Sequence, residues 1–241
     1  MRDFSLETTK RIEFICHALR SAGARGVVFG NSGGKDSALV GILCKMACDN
    51  TIGVILPCAT EVNYASDRTD ALVFARQYAI ETREVDLAGV KSALVTAMGE
   101  SAALSPSSLS NIAPRLRMTT LYAIAASENL LVAGTGNKSE IYTGYFTKWG
   151  DGGYDFNPIS DLTTTEVREF LQHLCAPEAI IQKAPSAGLF VGQTDEAELG
   201  VTYAAIDAFL SGGEVSEKDR EIIERLHKAS EHKRNAPIKY N

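Results

Sequence analysis

No apolar run in this 241-residue chain approaches the length needed to span a membrane. The first residues, Met1-Arg2-Asp3-Phe4-Ser5, lack the apolar core of a secretory signal. Cytoplasm is therefore the expected compartment, and no membrane partner is expected. C-x-x-C spacing is absent, and the five cysteines (16, 44, 48, 58 and 175) form an odd, scattered set. Cys44 and Cys48 would share a face of an expected helix, but a zinc site lacks nearby partners. Reduced, apolar core cysteines are the simpler reading. An excess of positive charge is also missing. The formal net charge is −6, which argues against non-specific nucleic-acid binding. A polyphosphate ligand stays open, provided lysines and arginines cluster locally. No internal repeat and no low-complexity tract occurs. The length suits one α/β domain, or one and a half.

The informative stretch is Val27-Val28-Phe29-Gly30-Asn31-Ser32-Gly33-Gly34-Lys35-Asp36-Ser37-Ala38-Leu39-Val40. An apolar, β-branched run enters a small-residue loop, and a helical pattern follows. Gly30, Gly33 and Gly34 let the backbone turn sharply and approach a ligand. Ser32 and Ser37 add hydroxyl donors. Loop amides and the first free N–H groups of the helix converge where the helix dipole is positive, which favours a phosphate. Asp36 adds a carboxylate whose simplest use is to hold Mg²⁺ against phosphate oxygens. The Walker pattern fails, because Gly34-Lys35 is followed by Asp36 and Phe29 stands where the first glycine belongs. The dinucleotide fingerprint fails here too. What remains, S-G-G-x-D-S after a strand, resembles the pyrophosphatase loop of the ATP-pyrophosphatase superfamily. Members of that superfamily split ATP between its α and β phosphates.

Apolar spacing predicts helices over 6–19, 37–48, 63–78, 89–98 and 115–127. It predicts strands over 26–30, 51–56, 82–87 and 129–134. This alternation predicts an α/β fold, a mostly parallel sheet flanked by helices on both faces. Ser101 to Ser110 reads as a mobile loop. Gly134 to Pro158 reads as a long, irregular, glycine- and aromatic-rich segment, and such segments are usually functional. Its opening G-T-G-N-K-S nearly matches G-x-G-x-x-G, but no helical pattern follows. Thr163-x-x-Glu166 reads as a capping box that opens a helix to Leu174. A short helix over 177–183, a loop over 184–194 and helices over 195–210 and 216–231 complete the chain.

The blocks G-T-G-N-K-S-E, G-Y-F-T-K-W-G-D-G-G-Y-D, N-P-I-S-D-L, K-A-P-S-A-G-L and G-Q-T-D-E-A-E-L-G, with a late H-K-R-x-x-P, occur in order. Together with the loop they resemble the NAD synthetases. The resemblance runs from Gly30 to Pro237 and implies an adenine-nucleotide-hydrolase-like (ATP pyrophosphatase) fold. It also implies a single domain over 1–241, without the glutaminase domain of the larger members. The implied activity is amidation of deamido-NAD to NAD with ATP and ammonia, through an adenylate, with release of pyrophosphate and AMP. A homodimer is implied as well.

The resemblance implies roles residue by residue. Gly30, Asn31, Ser32, Gly33, Gly34, Lys35, Asp36 and Ser37 would cradle the pyrophosphate. Asp36 and Glu140 match Mg²⁺ ligands and the catalytic pair. Thr135 and Ser186 match ATP contacts. Arg115, Lys148, Asp155, His232 and Lys233 match deamido-NAD contacts. Simpler readings stand beside these. Glu140 and Asp155 suit solvated loop acids, and Asp155 also suits a turn former. Arg115 suits the solvent end of a helix, and His232-Lys233 suits a helix C-terminal charge cluster. One departure stands out: Thr164 occupies the place of a family lysine that contacts ATP phosphate. A hydroxyl cannot supply that charge, and Lys183 is the expected compensation. A pyrophosphatase acting on another acceptor, or a nucleotide-binding regulatory module, is the alternative.

Overall fold

The computed structural model describes residues 2–58, 64–183 and 195–240. Helix α1 (Phe4–Ala22) opens on Asp3, whose carboxylate accepts from the Ser5 and Leu6 amides. Strand β1 (Gly26–Gly30) leads into α2 (Lys35–Ala47), and β2 (Thr51–Ile55) into α3 (Tyr64–Gln77). Next come β3 (Glu81–Glu84), α4 (Ala88–Met98), α5 (Pro106–Ser110), α6 (Ile112–Glu128) and β4 (Leu130–Ala133). Helix α7 (Lys138–Thr143) is followed by α8 (Thr164–His173) and α9 (Glu178–Ile181). The last elements are α10 (Asp195–Leu199), α11 (Tyr203–Leu210), α12 (Glu217–Ala229) and α13 (Glu231–Arg234).

All strand pairings are parallel, in the order β3-β2-β1-β4. In register, Val28 lies between Ile52 and Val132. The two faces bury different residues. Val27 and Phe29 join Leu39, Leu43, Phe74 and Phe170 on one side. Val28, Ile52, Val54 and Val132 join Leu121 and Ala125 on the other. Central strands buried on both faces must be apolar throughout, which is why β1 and β2 lack alternation. The Glu-Thr-Arg-Glu strand β3 sits at the edge, where charge discourages further pairing. No helix among the described residues is long and apolar enough to cross a membrane.

Three sequence expectations change. The segment over 101–110 contains helix α5, with Pro106 at its start and Ser105 accepting from the Ser108 amide. Five residues are too few to display a helical period. Helix α7 lies inside the stretch read as irregular, for the same reason. The expected single helix over 195–210 is two, broken at Gly200, whose φ of +73° is left-handed, and restarted by a Thr202 cap.

The strand order places the site. The chain adds β2 and β3 on one side of β1, then returns to add β4 on the other. Loops leaving β1 and β4 therefore diverge and open a crevice beyond the carboxyl ends of the strands, where ligands bind in open α/β sheets.

Candidate active site at the carboxyl edge of the sheet

The loop after β1 is held by its own polar groups. Asn31 is buried, donates to the Ala71 carbonyl at 3.2 Å, and accepts from the Gly33 amide at 3.3 Å. The Ser32 and Ser37 hydroxyls are 3.1 Å apart, and Ser37 donates to the Gly34 carbonyl. Gly34 caps α2 with no side-chain hydrogen bond. The first-turn amides of a 13-residue helix thus face the crevice without a side-chain acceptor, a ready seat for an anion.

Lys35 is buried and its ammonium lies 2.6 Å from Asp36. Burial works to lower its pKa, but Asp36 and Glu140 outweigh it and hold the lysine above its ordinary value. Asp36 also accepts from the Asn137 side-chain amide at 3.0 Å. Asn137 caps α7 by accepting from the Glu140 amide, and Glu140 returns the bond to the Asn137 amide at 2.9 Å. One asparagine therefore bridges the two expected metal carboxylates. Desolvation, then repulsion from Asp36, pushes the Glu140 carboxyl well above its ordinary value. Two acids converging at such a cost fit a divalent cation in chemistry and in charge.

Helix α7 carries Glu140 and is fixed at both ends. Ser139 donates to the buried Asp207 at 2.5 Å, and Asp207 also accepts from the amide and hydroxyl of Thr165, each at 2.7 Å. At the other end, Lys233 donates to the Gly144 and Phe146 carbonyls at 2.7 Å each, and Arg234 donates to the Tyr142 carbonyl. Cations satisfy the last carbonyls of a helix and complement its dipole. Asp207→Ala strips three bonds from a buried junction. It should cost about 3 kcal/mol, read as a lower urea midpoint with unchanged slope, and lower turnover as well.

The expected acceptor residues fall into two groups. Arg115 donates to the Lys148 carbonyl, Lys148 donates to the His232 carbonyl, and the Arg115 charge depresses the Lys233 pKa after desolvation. These cations thus gather at the start of α6. An arginine in a helix's first turn opposes the dipole, so the cluster suits an anionic partner. Asp155 lies apart. It accepts from the Tyr122 hydroxyl at 3.0 Å and from the Val132 amide at 2.8 Å. Burial, then Asp155, pushes the Tyr122 phenol up to about 12. Tyr122 and Arg115 are two helical turns apart on α6, roughly 10 Å.

Thr135 sits in the turn after β4, and Ser186 lies outside the described residues. Thr164 is buried, and its hydroxyl has no hydrogen-bond partner. Lys183 is 2.8 Å from Asp67 and 2.7 Å from Asp70 and donates to the Gly33 carbonyl. Its charge is matched twice, and it clasps the loop to α3. Sequence reasoning missed Asn137 and Asp195. The N-x-x-E spacing of a capping box was the available signal for the first. Asp195 is buried, accepts from Tyr203, and adds negative charge around Glu140. It stands in the D-E-A-E-L-G block, which gave it no role.

Comparison with known proteins supplies the family. The family described as NAD synthase matches residues 7–237. An NH(3)-dependent NAD(+) synthetase from Carboxydothermus hydrogenoformans is 45% identical over 96% of this chain and 95% of its own. An NMN synthetase from Francisella tularensis superimposes with a TM-score of 0.95 at 36% identity, over 100% of both chains. An NH3-dependent NAD synthetase from Campylobacter jejuni, solved with a nitrate ion, gives 0.84 at 28% identity, again over 100% of both chains. The parallel sheet flanked by helices is accordingly of the ATP-pyrophosphatase type. By sequence and by structure, this chain belongs to the NAD synthase family.

Proposed function

We propose that this protein amidates deamido-NAD to NAD, using ATP and ammonia. In the first step a nicotinate carboxylate oxygen attacks the α-phosphorus of ATP. The bond to the β-phosphate breaks, and pyrophosphate leaves. Ammonia nitrogen then attacks the acyl carbon, AMP departs, and a proton is lost to solvent. The observation that carries this reading is Asn137 tying Asp36 to Glu140 beside an anion-ready loop, at the switch point of the sheet.

The chain's own groups divide the work. Loop amides and the α2 amides bind the departing pyrophosphate, and the buried ammonium of Lys35 lies beside them. Such preorganised donors stabilise charge where it develops. Asp36 and Glu140 would hold Mg²⁺, which when bound supplies positive charge to the phosphate oxygens. The cluster of Arg115, Lys148, His232 and Lys233 would take the phosphates of the acceptor, with Asp155 toward a ribose hydroxyl.

The chain works as a single domain in the cytoplasm and as a homodimer, without nucleic-acid or membrane partners. Helix α4 supports the dimer: it is apolar yet buries no residue, and Val90 and Leu94 are exposed one turn apart. Leu94→Glu should therefore shift sedimentation from dimer to monomer.

A second reading follows from the similarity to the NMN synthetase: this protein would make NMN, with the corresponding mononucleotide acid, nicotinate mononucleotide, as the acceptor. One assay separates the two. Pyrophosphate release is followed with ATP, Mg²⁺ and ammonium, with deamido-NAD or the mononucleotide as acceptor. Higher kcat/KM with deamido-NAD supports the first reading. Higher kcat/KM with the mononucleotide supports the second. Release with neither acceptor removes both.

A further inference from the structure

Thr164 and Arg168 lie one turn apart on the same face of α8, which packs against α2. The Thr164 hydroxyl and the Arg168 Nε are both buried, and neither has a hydrogen-bond partner. Arg168 forms no ion pair among the described residues. Its charge nonetheless reaches Lys35 and works against that ammonium. A buried N–H donor left without an acceptor costs free energy. The neighbouring cations differ. Lys35 is matched by Asp36, and Lys183 by Asp67 and Asp70. Arg168 is thus an unmatched positive charge beside the phosphate loop. A polyanion would give that Nε an acceptor, and a planar guanidinium can grip phosphate oxygens in pairs.

We propose that Arg168 is a nucleotide-phosphate ligand, binding the pyrophosphate portion of ATP held at residues 30–37 and supplying the charge that Thr164 cannot. This rests on the nucleotide reading of that loop. It assigns Lys183 to loop structure, and it makes α8 a fourth wall of the site beside the β1 loop, α2 and α7.

The test compares the full-length protein with Arg168→Met and Arg168→Lys. Thermal unfolding is recorded with and without Mg-ATP, alongside steady-state kinetics. Without nucleotide, Arg168→Met should unfold at the same temperature as the wild type or higher, because a buried donor without a partner is removed. Its ATP-induced shift should shrink, and KM for ATP should rise roughly tenfold or more. KM for the acceptor should not move. Arg168→Lys, which keeps charge but not the fork, should fall between. Unchanged ATP response in Arg168→Met, beside a normal wild-type shift, overturns the assignment alone. A nucleotide-free protein that unfolds earlier, with both KM values raised together, overturns it as well, since that marks a structural arginine. No ATP shift in the wild type overturns the nucleotide reading of the loop, and this assignment with it.

Discussion

Glu140→Gln is expected to leave a folded protein whose turnover falls roughly 10²–10³-fold, as when one preorganised electrostatic group is removed. Glutamine keeps an oxygen that can accept from the Asn137 amide, so the capping box that starts α7 survives. It removes the negative charge that a divalent cation would need. The substitution therefore separates the two roles of this side chain. Glu140→Ala, by contrast, should lose the cap as well, at about 1 kcal/mol. Stability gives an independent reading. The folded-state carboxyl titrates well above its ordinary value, first through desolvation and then through Asp36. A raised value means that the folded state holds the proton more tightly than the unfolded chain does. The stability associated with protonation is complete below the unfolded value of about 4.3. It is lost as pH rises through the folded value. In a chelator, Glu140→Gln should accordingly unfold above the wild type at pH 8, and the gap should narrow toward pH 4. Magnesium should raise the unfolding temperature of the wild type and leave the variant unmoved. An active Glu140→Gln enzyme would remove this carboxylate from the chemistry.

Gly33→Ala is expected to disable the phosphate loop through backbone geometry alone. Gly33 has φ of +71°, and a Cβ there would stand 2.2 Å from the Asp67 carbonyl oxygen of α3. The left-handed conformation alone costs a non-glycine residue about 1–2 kcal/mol. The clash is with backbone and cannot be relieved by a side-chain rotation, so loop and helix must separate. The Lys183 clasp spans this same junction, through Gly33, Asp67 and Asp70. Loss of the ATP-induced thermal shift, with a lower unfolding temperature, is the expected result. Gly30→Ala is the control: its nearest neighbour would be Leu121 Cδ1 at 3.7 Å, an ordinary contact. That variant should unfold within a degree or two of the wild type. Equal unfolding temperatures of the two variants would show that the left-handed turn at Gly33 and its contact with α3 do not limit stability.

These contrasts show where the sequence was legible. It read all three loop glycines as needed for the turn, whereas Gly33 is the one with a left-handed φ. Thr164 was recognisable as a missing charge, but its proposed substitute, Lys183, turned out to be paired. Arg168 carried no sequence signal, because an arginine on a helix reads as solvated. The tail pair was read as deamido-NAD contacts, with a charge cluster at the end of its own helix as the simpler alternative. In the structure Lys233, with Arg234, closes the end of α7, 89 positions away in the chain.

The sequence by itself determined the strand-loop-helix at Gly26 to Ala47, the alternation that makes the sheet parallel, and the capping box at Thr163 and Glu166. Each depends on sterics or hydrogen bonds within a few residues, so each is written in a short window. Tertiary structure alone decided that β4 pairs with β1, that Asn137 reaches Asp36 from 101 positions away, and that α8, which carries Arg168, packs against α2. Those outcomes depend on which buried faces fit together across the whole chain, and no local pattern carries that choice.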